Sequence, residues 1–312
     1  MTALGPLGVC VVVWAAMTLP VAVADAAFPG ANGRIAYSSW IYDVCHSSRP
    51  DGTRQRRIVR CRRPDSVNYS ADGRRIVVAG GGERASLSIA RADGRDRSWL
   101  VRGGLQASGA RWAVHGGAFS PDGTQVVFDV SEELRDPGAP GGQRTQRNVY
   151  VVGIDGANLR LIARGRTGNA VFSPDGGRIA YVAWHGRRQA VETVAVDGTD
   201  RRTLVWNSGG ACCLDFAPDA SRLLLVEPTK RRGDVGGRIV IVDAQTGERT
   251  RLPARLTGPV WDAVWSPDGR RIAFVQLDST QVFTIRPDGT GKRLAFTARV
   301  GGIERLAWQP RP

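Results

Sequence analysis

Phe172-Ser173-Pro174-Asp175-Gly176-Gly177-Arg178-Ile179-Ala180-Tyr181 decides the fold of this chain. An aromatic residue ends one short apolar run, Ser-Pro-Asp-Gly makes a tight turn, and a second apolar run follows. Proline presets φ at the second turn position, aspartate bonds its own backbone, and glycine accepts a positive φ. The phrase returns as Tyr69-Ser70-Ala71-Asp72-Gly73, Phe119-Ser120-Pro121-Asp122-Gly123, Phe216-Ala217-Pro218-Asp219-Ala220 and Trp265-Ser266-Pro267-Asp268-Gly269. Each copy precedes an apolar run such as Ile76-Val77-Val78 or Ile272-Ala273-Phe274. A unit recurring at this period cannot bury its apolar face alone and must stack on its neighbours.

A second family of turns falls between the copies: Asp51-Gly52-Thr53, Asp93-Gly94, Asp155-Gly156, Asp197-Gly198-Thr199, Thr246-Gly247 and Asp288-Gly289-Thr290. Each unit then holds four short antiparallel strands in roughly 40–50 residues, the signature of a β-propeller blade. The ends of the chain complete the set. Gly33-Arg34-Ile35-Ala36-Tyr37 is a second strand without a first, and Leu306-Ala307-Trp308-Gln309-Pro310 is a first strand without a second. Joined, they make one more blade. The expected fold is all-β, a six-bladed propeller of four-stranded antiparallel blades over 27–312, closed by pairing of the N- and C-terminal segments. No room remains for a second domain.

The repeated phrase resembles the WD40-like PD40 repeat in the propeller half of TolB proteins, and the resemblance covers nearly all of 27–312. It implies a TolB-like six-bladed propeller that binds protein or ligand at one face. In that family the propeller follows an α/β domain and works in the bacterial envelope. This chain enters its first blade soon after residue 26, so the α/β domain is expected to be absent.

Residues 1–26 read as a secretory signal peptide: Val9 to Leu19 is nearly all apolar, and Ala24-Asp25-Ala26 fits a small-x-small cleavage site. Export to the periplasm, the cell envelope or the medium is expected, with no transmembrane span in the mature chain. The 312 residues carry a net charge of +14, and of 43 basic residues only Lys230 and Lys292 are lysine. That charge favours anionic polymers or acidic partners and makes binding salt-dependent. The expected partner is an envelope or secreted protein or an anionic polymer, not nucleic acid, bound by a monomer.

In a propeller the connections from strand four to the next strand one, and from strand two to strand three, surround the channel mouth on one face. The Ser-Pro-Asp-Gly turns lie on the other. Counting back four and three positions from each inner-strand aromatic predicts the rim: Glu304 and Arg305, Asp65 and Ser66, His115 and Gly116, Gly168 and Asn169, Cys212 and Cys213, Trp261 and Asp262. Convergent polar groups around a cavity are the default binding site. The connections Ser131–Asn148 and Glu227–Gly237 read as long loops, the second with Arg231 and Arg232. A shorter connection adds Trp184, Arg187 and Arg188. Long loops on a rigid scaffold are where binding resides.

Cys45 and Cys61 are nearly symmetric about the Asp51-Gly52-Thr53 turn, which predicts a cross-strand disulfide in an oxidising compartment. The three histidines, His46, His115 and His185, lack metal-ligand spacing. No Gly-x-Ser-x-Gly elbow and no phosphate-binding glycine loop occurs. The expected function is therefore a non-enzymatic binding propeller without cofactor or metal. The alternative is a channel-mouth hydrolase or lactonase using Asp65, Asp262 and Glu304, with or without a divalent cation.

Overall fold

A computed structural model describes residues 29–39, 41–60, 64–80, 85–139, 142–207, 212–228, 237–253, 259–276 and 280–311. The segment 1–26 and its expected cleavage lie outside them. Strands β1 (Ala31–Ser39), β2 (Val44–Ser48) and β3 (Arg56–Arg60) come first. They are followed by β4 (Pro64–Tyr69), β5 (Arg75–Gly80), β6 (Ser86–Arg91) and β7 (Ser98–Val101). Next come β8 (Gly104–Leu105), β9 (Arg111–Phe119), β10 (Gln125–Arg135), β11 (Gln143–Gly153) and β12 (Arg160–Ala163). The third quarter holds β13 (Thr167–Phe172), β14 (Arg178–His185), β15 (Arg188–Ala195) and β16 (Arg202–Asn207). Then follow β17 (Cys212–Phe216), β18 (Arg222–Pro228), β19 (Gly237–Asp243) and β20 (Arg249–Arg251). The chain ends with β21 (Val260–Trp265), β22 (Ile272–Gln276), β23 (Gln281–Ile285), β24 (Arg293–Thr297) and β25 (Ile303–Arg311).

These strands form an all-β propeller of four-stranded antiparallel sheets. Their orders are β25-β1-β2-β3, β4-β5-β6-β7, β12-β11-β10-β9 with the short β8 added, and β13-β14-β15-β16. The remaining strands are grouped in one eight-stranded sheet, with β20 paired to β19. Within it, β19 touches β21 through the single pair Gly237 and Val260. The terminal strands do pair: β1 and β25 run antiparallel, with Ala31 opposite Arg311 and Ala36 opposite Ala307.

Continuous apolar runs are needed because each sheet is buried on both faces. On β5, Ile76 and Val78 pack with Ala36, Ile58 and Val59 of the sheet before. Val77 and Ala79 face the other way, onto Phe119, Val126 and Phe128 of the sheet after. The seam between chain ends is packed alike: Ile35, Tyr37, Leu306 and Trp308 join Ala273, Val275 and Val282.

The repeated phrase builds the turn expected of it. In the copy at 119–123, Gly123 N–H donates to Ser120 O and Thr124 N–H to Asp122 Oδ1, while Ser120 Oγ accepts from Gln125 N–H. The fifth turn position sits at φ between 64° and 72° in the four glycine copies and at 58° in Ala220. A side chain costs about 1–2 kcal/mol in that region. Ala220→Gly is therefore expected to raise stability by about 1 kcal/mol, read as a higher denaturant midpoint with unchanged slope. A lower midpoint would refute it.

One connection differs from expectation. Residues 131–148 are mostly strand, not loop: β10 and β11 stay in register out to Arg135 opposite Gln143. Inward-facing polar and aromatic groups sustain the pairing. Glu132 is buried and accepts from Tyr150 Oη and Gln146 Nε2, and Trp112 packs on Tyr150. Pairing of β18 with β19 likewise reaches Pro228 and Gly237. Arg231 and Arg232 between them lie outside the described residues, as does Cys61, so the expected Cys45–Cys61 disulfide falls there too.

Candidate functional site

Six strands, β4, β9, β13, β17, β21 and β25, line one cavity of about 210 Å³. Beyond short pairings of β9 with β8 and of β21 with β19 at their first residues, each presents an edge without a neighbouring strand, so its N–H and C=O groups need other partners. Every one of them is bulged, four of them at the same level. The extra, unopposed residue is Asp65 in β4, His115 in β9, Trp261 in β21 and Glu304 in β25. In β13 and β17 the irregularity lies one or two residues later, and Asn169 and Cys213 take positive φ there, 54° and 62°. Bulges of this kind re-aim side chains next to sites. Positive φ at a non-glycine residue is a strained conformation that the surroundings must hold.

Side chains of successive inner strands satisfy these edges. Asn68 Nδ2 donates to Gly117 O at 2.7 Å. Asp215 Oδ2 accepts from Trp265 N–H at 2.7 Å, and Asp262 Oδ2 from Leu306 N–H at 2.6 Å. The Cys213 thiol donates to Trp261 O at 3.5 Å. The acidic groups then divide by partner. Asp262, 3 % exposed, lies 3.6 Å from Arg305 Nη1, which also donates to Cys213 Sγ at 2.8 Å. Asp129, 2 % exposed, pairs with Arg147 Nη2 at 2.7 Å. Asp215 has no cationic partner among the described residues.

Electrostatics follow from that division. Burial pushes the Asp215 carboxyl up to about 8; the Trp265 N–H opposes this and the nearby Asp262 charge adds to it. Burial also raises Asp262, against the pull of Arg305, Cys213 and the Leu306 N–H.

Asp129 and Arg147 belong to the second and third strands of their sheet, yet they reach the cavity. Two glycines open the way. A Cβ on Gly116 would stand 2.5 Å from Asp129 Oδ1, and one on Gly168 would stand 3.3 Å from Asp129 Oδ2.

The structure brings His115, Asn169, Asp262, Glu304 and Arg305 together around the cavity. His115 Nε2 lies 2.8 Å from Ser131 Oγ. The Asp65 side chain is outside the described part. Trp261 is exposed and is not among the residues lining the cavity. Trp184 is partly buried against Val182, Leu214 and their neighbours, while Arg187 and Arg188 are exposed at the β14–β15 turn. The exposed aromatic there is Trp206, under the Arg188 guanidinium at 4.4 Å. Counting back from the aromatics missed Asp215, Asn68, Asp129, Arg147 and Trp206. A usable signal existed for Asp215: it is the one ionisable residue immediately before an inner-strand aromatic. No group of three or more His, Cys, Asp or Glu side chains able to hold a metal ion occurs among the described residues.

No family model matches the chain. The fold is similar to TolB from Acinetobacter baumannii, with TM-score 0.69 and 17% identity over 91% of this chain and 68% of that one. A chain of a nidogen/laminin complex aligns with TM-score 0.67 and 15% identity over 88% and 98%. An oligogalacturonate lyase in complex with manganese aligns with TM-score 0.54 and 13% identity over 86% and 82%. The likeness is one of fold: this chain is a TolB-like propeller. No helix among the described residues is long and apolar enough to cross a membrane.

Proposed function

We propose that the protein is an exported, non-enzymatic propeller of six blades that binds a protein partner at its channel-mouth face. The six-blade count draws support from the inner strands, six in number, and from the single residue pair that joins the two halves of the eight-stranded sheet. The leader-like segment 1–26 supports export.

One observation carries the binding reading. Exposed large apolar residues stand at strand ends and connections opposite the Ser-Pro-Asp-Gly turns: Ile41 and Tyr42 between β1 and β2, Leu105 in β8, Trp206 near the end of β16 and Trp261 at the start of β21. The Arg188 guanidinium stands over Trp206, and Arg187 is exposed one residue away in the chain from Arg188. Aromatic residues and arginine are the groups that anchor protein interfaces. The complex formed by the nidogen/laminin propeller makes a protein partner the natural reading. Hydrolysis has less to recommend it. The Asp262 carboxylate that would act is held by Leu306 N–H and sits beside Arg305.

Photo-cross-linking from the rim in intact cells tests this. A discrete protein adduct is expected, lost at least tenfold in Trp206→Ala/Arg188→Glu and weakened by added salt. An adduct with polymer alone, or one indifferent to both substitutions, would overturn the protein-partner reading.

A further inference from the structure

One unit of the repeat lacks a carboxylate that another uses to join two arginines. In the sheet β13-β14-β15-β16, Asp200 follows the Asp197-Gly198-Thr199 turn at φ 49°. Its Oδ2 accepts from Arg178 Nη1 at 2.7 Å and its Oδ1 from Arg202 Nε at 2.9 Å. Arg178 is held further by Thr193 Oγ1 and Asp200 O. Strands β22 to β24 repeat this register: Thr284 lies opposite Arg293 as Thr193 lies opposite Arg202. Arg271 therefore stands for Arg178, Arg293 for Arg202, and Gly291, at φ 61°, for Asp200. The arginines keep their supports. Thr284 Oγ1 accepts from Arg271 Nη1 at 3.1 Å and from Arg293 Nε at 3.3 Å, and Gly291 O accepts from Arg271 Nη1 at 3.1 Å. Only the carboxylate between them is missing.

A third guanidinium is present instead. Arg286 stands where the other unit has Ala195. A Cβ on Gly291 would lie 3.5 Å from Arg286 Nη1 and 3.7 Å from Arg271 Nη2, so the space of the absent side chain faces both. The acids of the two adjoining turns are engaged elsewhere. Asp288 Oδ1 accepts from Thr290 N–H and Oγ1, and Asp268 accepts from Ser266 Oγ, Arg270 N–H and Asn32 Nδ2. Among the described residues, none of Arg271, Arg286 and Arg293 has a salt bridge. Burial, then the Arg293 and Arg286 charges, press the Arg271 guanidinium below its ordinary pKa, and Asp268 opposes them.

We propose that the space at Gly291 is an oxyanion site for a phosphate monoester, gripped by Arg271, Arg286 and Arg293 on the turn side of the propeller. Such a group carries a charge of about −1.5 to −2 and three strong acceptor oxygens. Guanidinium forks match phosphate geometry. One carboxylate serves two arginines at Asp200; three arginines call for the greater charge. The phosphate comes either from a soluble ester or from a lipid headgroup. This face is opposite the channel mouth, so the site does not rest on the rim contacts.

Melting of two variants tests whether the position welcomes an anion. Gly291→Asp and Gly291→Asn share bulk and backbone strain and differ in charge. At low ionic strength the aspartate variant should melt at least about 3 °C above the asparagine variant. The gap should close in about 0.5 M NaCl. Equilibrium dialysis with glycerol 3-phosphate, and sedimentation with phosphatidylcholine vesicles with or without phosphatidic acid, read the ligand. Saturable binding in at least one arm is expected, absent for glycerol and for phosphatidylcholine alone. It should weaken at least tenfold in Gly291→Asp and in Arg271→Gln/Arg293→Gln. Binding of the soluble ester points to a free phosphate, and binding confined to phosphatidic acid vesicles points to a headgroup. Equal melting of the two Gly291 variants at low salt, no binding in either arm, or binding unchanged in Gly291→Asp would overturn the proposal.

Discussion

Asp215→Asn is expected to make the protein more stable at pH 8 by about 2–4 kcal/mol while changing little near pH 4. The unfolded carboxyl titrates near 4 and the folded one near 8. Between those values the folded state holds more protons than the unfolded state. Stability contributed by the neutral carboxyl is therefore complete below about pH 4 and lost as pH rises toward 8. Asparagine is neutral throughout and still accepts from Trp265 N–H, so the penalty disappears. The full shift would correspond to more than the range given; partial opening to the cavity reduces it. Asp262, also raised, keeps a residual slope in the variant. Asp215→Leu is the control, because it orphans the Trp265 N–H. Urea midpoints of the three proteins from pH 4 to 9 decide the matter. Parallel curves for wild type and the asparagine variant would show that Asp215 is already ionised in the folded protein.

Removing residues 303–312 is expected to abolish the cooperative fold. The strand lost carries Ile303, Leu306, Ala307 and Trp308, all buried. Three large side chains at about 1.5–3 kcal/mol each already rival the whole stability of a domain. The loss also uncovers β1 as an open edge, which invites aggregation. The neighbouring turns lose their grip as well. Gln309 Nε2 donates to Gly73 O at 2.7 Å, and a Cβ on Gly73 would meet Pro310 O. The deleted chain should lack a sigmoidal thermal transition, and a synthetic 300–312 peptide should restore one. A cooperative melt within a few degrees of the intact protein would show that β1–β25 pairing is dispensable.

Much of this architecture was legible because turn chemistry and strand period are local. Ser120, Asp122 and Gly123 carry their own hydrogen-bond pattern wherever they occur, and the β5 run shows both buried faces by its lack of polar residues. The pairing of Ile35 with Trp308 was readable from two half-units alone. The site was less legible because it depends on contacts between strands distant in sequence. A bulge changes which inner-strand residue meets the axis, and its position in β13 and β17 differs from the other four. The Asp129–Arg147 pair enters through Gly116 and Gly168, so its presence is written in the absence of two side chains. Trp206 was passed over for Trp184 because the two lie on strands of the same sheet, β16 and β14, and only the packing tells which is covered. The expected loop at 131–148 failed for a similar reason: Glu132 reads as a solvent residue until Tyr150 and Gln146 are seen to enclose it.

The pairing of Ala31 with Arg311 puts the first and last strands on the same blade. β25 runs from the channel mouth toward the turns and β1 runs back, so both ends emerge on the turn side, away from the cavity. That geometry sets orientation. A tether, a fusion partner or a surface linkage attached at either end would hold the ring from behind and display the channel outward. A short linker between the two ends would leave the propeller intact, freeing a circular permutant to begin at any rim connection.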